Sequence, residues 1–187
     1  MLTAKSSPDF FLRDGRAVVV RQLSANDIEP YSDFLGRIKP EDLRLRFFAS
    51  MAKVNDRLID TLIHYDAAHA MAWIVIDEKK KKVLGVGRLH DDKTPESAEF
   101  AVLVDSEVKA HGIGWLLMER IIDHAKFKNI KIVHGQVLAE NPSMLTMCRE
   151  MGFQVKTDPD DPSVRIVMLA VPGTAKKTSN KLQRENS

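Results

Sequence analysis

The sequence predicts an α/β domain built on a mixed sheet with helices on both faces. Three observations predict it. Segments with strand and helix character follow one another in the order β-α-α-α-β-β-β-α-β-α-β-β. Ala98 to Val104 is apolar except for Glu99, the composition of a strand covered on both faces. A turn containing two glycines then opens a segment whose apolar residues recur at helical spacing.

The elements follow in order. Ala17 to Leu23 contains Val18-Val19-Val20, a β-branched run that reads as a strand. Asn26 or Asp27 suits the cap of a helix running to about Ile38, with Pro30 tolerated in its first turn. Pro40 opens a second helix carrying Leu43, Phe47 and Phe48. A third spans Asp56 to His64, with Leu58, Ile59, Leu62 and Ile63 on one face. Met71 to Asp77 and Val83 to His90 read as strands. The four lysines after Glu78 form the hairpin tip between them, a solvated charge run. After Ala98 to Val104 comes Gly112-Ile113-Gly114, then a helix placing Leu117, Met118, Ile121, Ile122 and Ala125 on one side. Ile130 to Leu138 is a strand, Asn141 to Met151 a short helix, and Gly152 its stop. Phe153 to Lys156 and Val164 to Val171 close the chain as strands, seven in all.

The 187 residues are 44% hydrophobic and 29% charged, which supports one core and excludes a disordered chain. No apolar run approaches the ~20 residues that span a bilayer, so no membrane association is expected. Cys148 is the one cysteine, which excludes an intramolecular disulfide and any multi-cysteine metal site. The N-terminus lacks a basic segment followed by an apolar one, and with the single thiol this predicts a cytoplasmic protein. The formal charge of +2 hints at an acidic polymer as partner. However, four of the 28 basic residues and only one of the 26 acidic ones fall between Pro172 and Ser187. The rest of the chain is one charge to the acidic side of neutral, and no nucleic acid partner is expected. The predicted organisation is an N-terminal extension over 1–15, one domain over 16–171 and a flexible basic tail over 172–187. His64 and His69 miss the i,i+4 spacing of a helical metal pair and there is no H-E-x-x-H, so no catalytic metal is expected.

The stretch Val104-Asp105-Ser106-Glu107-Val108-Lys109-Ala110-His111-Gly112-Ile113-Gly114-Trp115-Leu116 carries the strongest signal. Unpaired N–H groups at a helix start form an anion site, and glycines let a phosphate approach the backbone. A dinucleotide fingerprint needs a third glycine where Leu117 stands, and a P-loop needs Lys-Ser/Thr where Trp115-Leu116 stand. A tight packing turn and a phosphate cradle both remain open on these residues alone.

Lys109-Ala110-His111-Gly112-Ile113-Gly114 resembles the Q/R-x-x-G-x-G/A turn of the GCN5-related N-acetyltransferase (GNAT) family. Asn141-Pro142-Ser143-Met144 through Gly152-Phe153 resembles that family's second CoA-contacting segment. The resemblance covers about Val18 to Val171, element order included. Arg44-Leu45-Arg46-Phe47-Phe48, Ala98-Glu99-Phe100-Ala101-Val102 and Val137-Leu138-Ala139-Glu140-Asn141 bring it nearest to the acetyltransferase domain of bacterial protein-lysine acetyltransferases. In many of those proteins the domain is joined to a large synthetase-like or nucleotide-sensing region, for which 187 residues leave no room. Two departures stand out: Lys109 replaces a Gln or Arg, and Cys148 replaces a tyrosine common near the departing sulfur.

The resemblance implies a mostly antiparallel GNAT sheet, acetyl-CoA as co-substrate, and direct attack of a primary amine on its thioester. An amine with pKa about 10.4 is protonated near neutral pH, so a base is needed. Glu99 is the candidate, because desolvation in an apolar strand strengthens a carboxylate as a base; the alternative is a solvated carboxylate at a strand end. A backbone N–H near Val102 or Leu103, where the family's strand bulges, would hold the oxyanion. Val102, Leu103 and Val104 would pair with the pantetheine arm, and the amides of His111 to Trp115, with Ala110 and Lys109 beside them, would hold the pyrophosphate. Asn141 would donate to the arm or phosphate, with Ser143 and Met144 lining the route; a helix N-cap is its simpler role. Cys148 would protonate the departing thiolate or act as nucleophile, the alternative being a small buried apolar side chain. His111 would contact phosphate or stand partly exposed without a role.

The acceptor implied is a protein lysine, with small-molecule amines and a non-catalytic CoA-binding module of the same fold as alternatives. Asp158-Pro159-Asp160-Asp161-Pro162 either attracts such a cation or is a solvated loop.

Overall fold

β-Branched residues favour extended backbone, and Val18-Val19-Val20 lies within a strand as predicted. The computed structural model describes residues 10–48, 54–92, 96–109 and 111–172. Its strands are β1 (Phe10–Phe11), β2 (Ala17–Gln22), β3 (Ala70–Asp77), β4 (Lys82–Asp91), β5 (Ser97–Val104), β6 (Ile132–Leu138), β7 (Gln154–Thr157) and β8 (Val164–Ala170). The helices are α1 (Ile28–Arg37), α2 (Pro40–Phe47), α3 (Asp56–Ile63), α4 (Ile113–Phe127) and α5 (Pro142–Glu150). No helix among the described residues is long and apolar enough to cross a membrane.

The sheet has eight strands in the order β1-β2-β3-β4-β5-β6-β8-β7, one more than the sequence suggests. The extra strand is β1, whose Phe10 and Phe11 pair with Val18 and Ala17 inside the stretch read as an extension. Two residues are too few to show a period, and a left-handed Gly15 closes the turn that brings them back. Of the predicted tail only Pro172 is described; 173–187 lie outside the described residues.

All strand pairs are antiparallel except β5 with β6. That pair is short, from Ser97↔Ile132 to Glu99↔His134, whereas β4 and β5 stay paired as far as Gly85↔Val104. Beyond Glu99, β5 and β6 therefore part company. The gap between them positions everything that follows.

Each face of the sheet carries its own core. On one face Leu117, Met118 and Ile121 of α4 are fully buried with Phe100, Val133 and Val167, each side chain contributing about 1.5–3 kcal/mol by leaving water. On the other, Phe34, Leu43, Ile59 and Ile63 of α1–α3 pack with Ile74, Val86 and Leu103. The start of α4 sits hard against β4 because Gly85 has no side chain. A Cβ there would lie 2.8 Å from Ile113 Cγ2. The predicted hairpin tip holds as well. Buried Asp77 accepts from the N–H groups of Lys79 (3.0 Å) and Lys80 (2.9 Å), which turns the chain and leaves Lys79, Lys80 and Lys81 in water, while the fourth lysine, Lys82, starts β4 and pairs with buried Asp105.

Candidate active site

A cleft of about 540 Å³ opens where β5 and β6 diverge. One wall is the end of β5. Backbone groups alternate in direction along a strand. Asp105 N–H donates to Leu84 O (2.9 Å) on the β4 side, while Glu96 C=O accepts from Lys131 on the β6 side. Odd-numbered residues of β5 thus turn their peptide groups to β4 and even-numbered ones to the gap. Val102 and Val104 offer a free edge for an extended ligand. Leu103 does not: its backbone belongs to the β4 ladder, and its side chain packs with α1–α3 while lining the cleft. The bulge expected near Val102 or Leu103 is absent too, because β4 and β5 pair in continuous register from Asp91↔Ala98 to Gly85↔Val104. The divergence of β6, not a bulge, exposes the edge.

The floor is the glycine turn. Asp105, fully buried, accepts from Glu107 N–H (3.0 Å) and is held by Arg37 (3.3 Å) and Lys82 (3.5 Å), so the turn leaves β5 in a fixed direction. Gly112 is the N-cap of α4 with φ +94°, a conformation costly for any residue with a Cβ. Its carbonyl accepts from Leu116 (3.0 Å), which leaves the first-turn N–H groups of Ile113, Gly114 and Trp115 without intrahelical partners. A Cβ at Gly114 would meet Met147 Sδ at 3.5 Å, an ordinary contact, so Gly114 serves an open floor more than packing. His111 is about one-third exposed, with Nδ1 3.5 Å from Asp14, and Ala110 lies outside the described residues.

The opposite wall is the start of α5. Asn141 is the N-cap, its Oδ1 accepting from Met144 N–H at 3.1 Å. Its amide NH₂ remains available, and Asn141, Ser143 and Met144 all line the cleft. The cap and the wall are the same residue doing both jobs.

Lys109 departs from expectation. Its ammonium is paired with Asp42, which also accepts from Ser106 Oγ at 2.6 Å. Sequence reasoning missed Asp42 and also Arg13, an exposed cation from the β1–β2 turn that lines the cleft. Neither carries a periodic signal; chain folding alone brings them there. The free edge, the uncapped N–H groups and the two cations fit an extended arm ending in phosphates, which is the shape of acetyl-CoA.

Past Asn141 and Met144 the cleft narrows to a passage of about 50 Å³ beside Leu45, Phe48 and Val102. It then widens into a second pocket of about 450 Å³. Glu99 lines both passage and pocket, so it stands at their junction. The desolvation expected of it is absent: Glu99 is exposed, because α1–α3 leave this part of the face open. Around it stand Arg46 and Arg88, with His64, Tyr65 and His90. Burial pushes the Arg46 guanidinium below the usual arginine range, and the nearby charge of Arg88 adds to that effect, while Tyr31 and Glu99 oppose it. Arg88 donates to Leu62 O and lies 5.7 Å over the Tyr65 ring. The run Arg44 to Phe48, part of the family likeness, supplies Leu45, Arg46 and Phe48 to this passage.

Two alternatives left open by the sequence fall to the simpler reading here. Cys148 is fully buried in the α4–α5 core and lines neither cleft nor passage. Burial pushes its thiol up to about 11, with Arg149 offsetting little, so neither a thiolate nucleophile nor a proton donor in contact with the cleft is present. The Asp158–Pro162 loop is a solvated turn, its carboxylates accepting from Asp160 N–H and Ser163, and it does not line the second pocket. β8 pairs with β6 from Leu138↔Val164, next to that loop, to Ile132↔Ala170. Glu99's row instead meets Met168, four residues along.

Comparison with known proteins shows the family. A model of the acetyltransferase (GNAT) family matches residues 38–153. The chain is 27% identical over 162 residues to the acetyltransferase PA5475 of Pseudomonas aeruginosa, covering 86% of this chain and 87% of that protein. Its fold is similar to that of the GNAT domain of S. lividans PAT, with a TM-score of 0.79 at 21% identity, covering 91% of this chain and 99% of the other. It is also similar to spermidine N-acetyltransferase from Vibrio cholerae in complex with CoA and spermine, with a TM-score of 0.64 at 18% identity, covering 82% and 95%. A family match over more than half the chain, a cleft shaped for a phosphorylated extended arm, and a carboxylate at its inner end together place the chain in the GNAT family of acetyl-CoA-dependent N-acetyltransferases.

Proposed function

We propose that the acceptor is the side-chain amine of a protein lysine, and that Glu99 removes its proton. The charge of the acceptor pocket carries this reading. Arg46, Arg88, His64 and His90 face only Glu99 and Asp66 among the lining carboxylates. A polyamine needs several carboxylates spaced along its length, whereas a lysine side chain needs one, at its amine. The likeness to bacterial protein-lysine acetyltransferases supports the same acceptor.

Bound acetyl-CoA supplies an activated acyl group as a thioester. The chain's own residues do the rest. The first-turn N–H groups of α4, with Arg13, hold the phosphates, and Lys109 joins them where it leaves Asp42. The edge at Val102 and Val104 fixes the arm in line with the passage, and the Val102 N–H points into the gap where an acyl oxygen gains negative charge. Glu99 meets the ammonium from the acceptor side and takes its proton, which frees the lone pair for attack. Removing such a base typically costs about 10²–10⁴-fold.

The test is thiol release from acetyl-CoA against lysine peptides, folded lysine-bearing proteins and free polyamines, with the products identified by mass spectrometry. Acetyl-lysine formation at the highest kcat/KM supports the proposal. Spermidine or another polyamine outperforming every lysine substrate overturns it.

A further inference from the structure

Beside Glu99 lies a second set of titratable groups that the reaction as described leaves unused. Strand register puts His90 of β4, Glu99 of β5 and His134 of β6 side by side, with Met168 of β8 next in the row. Directly paired residues project from the same face, on strands about 4.8 Å apart. His134 Nε2 lies 2.7 Å from Asp92 Oδ2, and Ser97 Oγ donates to the same oxygen at 2.5 Å. Burial alone would raise Asp92, but the bonds from Ser97 and His134 outweigh it and hold the carboxyl below its usual range. Asp92 is therefore an anion near neutral pH. A carboxylate only accepts, so Nε2 carries a proton, and in the neutral imidazole the lone pair lies on Nδ1. A carboxylate that fixes the tautomer of an imidazole in this way readies the other nitrogen as a base.

Glu99 alone faces a large gap. An ordinary carboxylate titrates about six units below a lysine amine, an imidazole about four. We infer that His134, oriented by Asp92, receives the proton that Glu99 takes from the acceptor amine and releases it to solvent. The inference rests on the reading of Glu99 as the base. The ammonium N–H bond breaks and its electron pair stays on nitrogen. The proton passes to the Glu99 carboxylate and then to Nδ1 of His134, giving an imidazolium paired with Asp92. It leaves from there to water, which His134 reaches because its side chain is 29% exposed, and both residues return to their starting states. The groups around the relay are His90 across Glu99, Arg46 and Arg88 on the pocket side, Asp91 and Asp92 at the end of β4, and Met168 from β8.

The experiment compares wild type, His134→Ala, Asp92→Asn and Glu99→Gln from pH 6 to 9, with acetyl-CoA and a lysine peptide mixture. A parallel titration of the histidine ring protons by NMR needs no acceptor. Retained thermal stabilisation by acetyl-CoA shows that each variant is folded. His134→Ala should lower kcat at least tenfold at pH 7 and less at pH 9, leave the KM for acetyl-CoA unchanged, and recover partly with free imidazole. Asp92→Asn, a positioning change, should lower kcat less and shift the profile. Glu99→Gln should move the His134 midpoint down, since it removes a neighbouring negative charge. His134→Ala within twofold of wild type while Glu99→Gln is impaired overturns the relay and leaves Glu99 as sole base. A His134 midpoint that ignores Glu99→Gln overturns it too. Full activity in both variants overturns the reading of Glu99 and the relay with it.

Discussion

The cleft and the second pocket, joined by the passage at Glu99, are built from different materials. The cleft presents chiefly backbone: the edge of Val102 and Val104, the first-turn N–H groups of α4 and the cap at Asn141. The pocket uses side chains almost throughout: Arg46, Arg88, two histidines and Glu99. Backbone sites are held by the hydrogen bonding of the fold itself and tolerate changes of side chain nearby. Side-chain sites depend on which residues the register sets next to one another. On the proposed function, the cleft would serve the common co-substrate and the pocket would distinguish acceptors.

That contrast can be broken experimentally. The largest effect expected is at the junction: Glu99→Gln should reduce turnover by about 10²-fold with little change in KM for acetyl-CoA, and a fall of less than tenfold at the optimum pH means another group is the base. Next comes the turn. Gly112→Val forces a β-branched residue into φ +94°, and acetyl-CoA affinity measured by calorimetry should drop more than tenfold, while Ser143→Ala on the facing wall should change it little. Equal losses for the two would show that side chains, not backbone, dominate the cleft. Gly85→Ala tests the packing under the turn. Its Cβ would press on Ile113 Cγ2 from 2.8 Å, so stability should fall by about 1–3 kcal/mol in urea unfolding. Asp42→Asn should tighten acetyl-CoA binding a few-fold at low salt, because it frees Lys109 and removes a carboxylate from the cleft wall. Weaker binding would mean that the Asp42–Lys109 pair shapes the turn.

The smallest effect on activity belongs to Cys148. Cys148→Ala should keep turnover within twofold. Its signature is in stability: the buried thiol titrates near 11, above its unfolded value. The folded state thus keeps its proton where the unfolded chain has lost it. The stability this confers is complete below about pH 9 and drains away as pH rises toward 11, by on the order of 2 kcal/mol. Cys148→Ala should lack that slope.

Much of this was legible in one dimension. Val18-Val19-Val20, the apolar run before Val104, and the helical spacing of Leu117, Met118 and Ile121 fix elements through local geometry and solvent transfer alone. Gly112 and Asn141 could be read as the turn and the cap, because φ > 0 and N-capping are local demands. Glu99 was legible as the lone charge in an apolar strand, although its environment was not. Whether a strand residue is covered depends on where α1–α3 end, and they end short of it.

What only the tertiary structure decided is non-local by nature. The parting of β5 from β6 beyond Glu99↔His134 chose Val102 and Val104 over Leu103. Chain reversal brought Asp42 to Lys109 and Arg13 to the cleft, across 67 positions in the first case. Register across three strands aligned His90, Glu99 and His134. Sequence settles what depends on neighbours along the chain, because propensity and burial act residue by residue. Which charges share a pocket is settled by contacts between distant segments, and those exist only once the sheet is assembled.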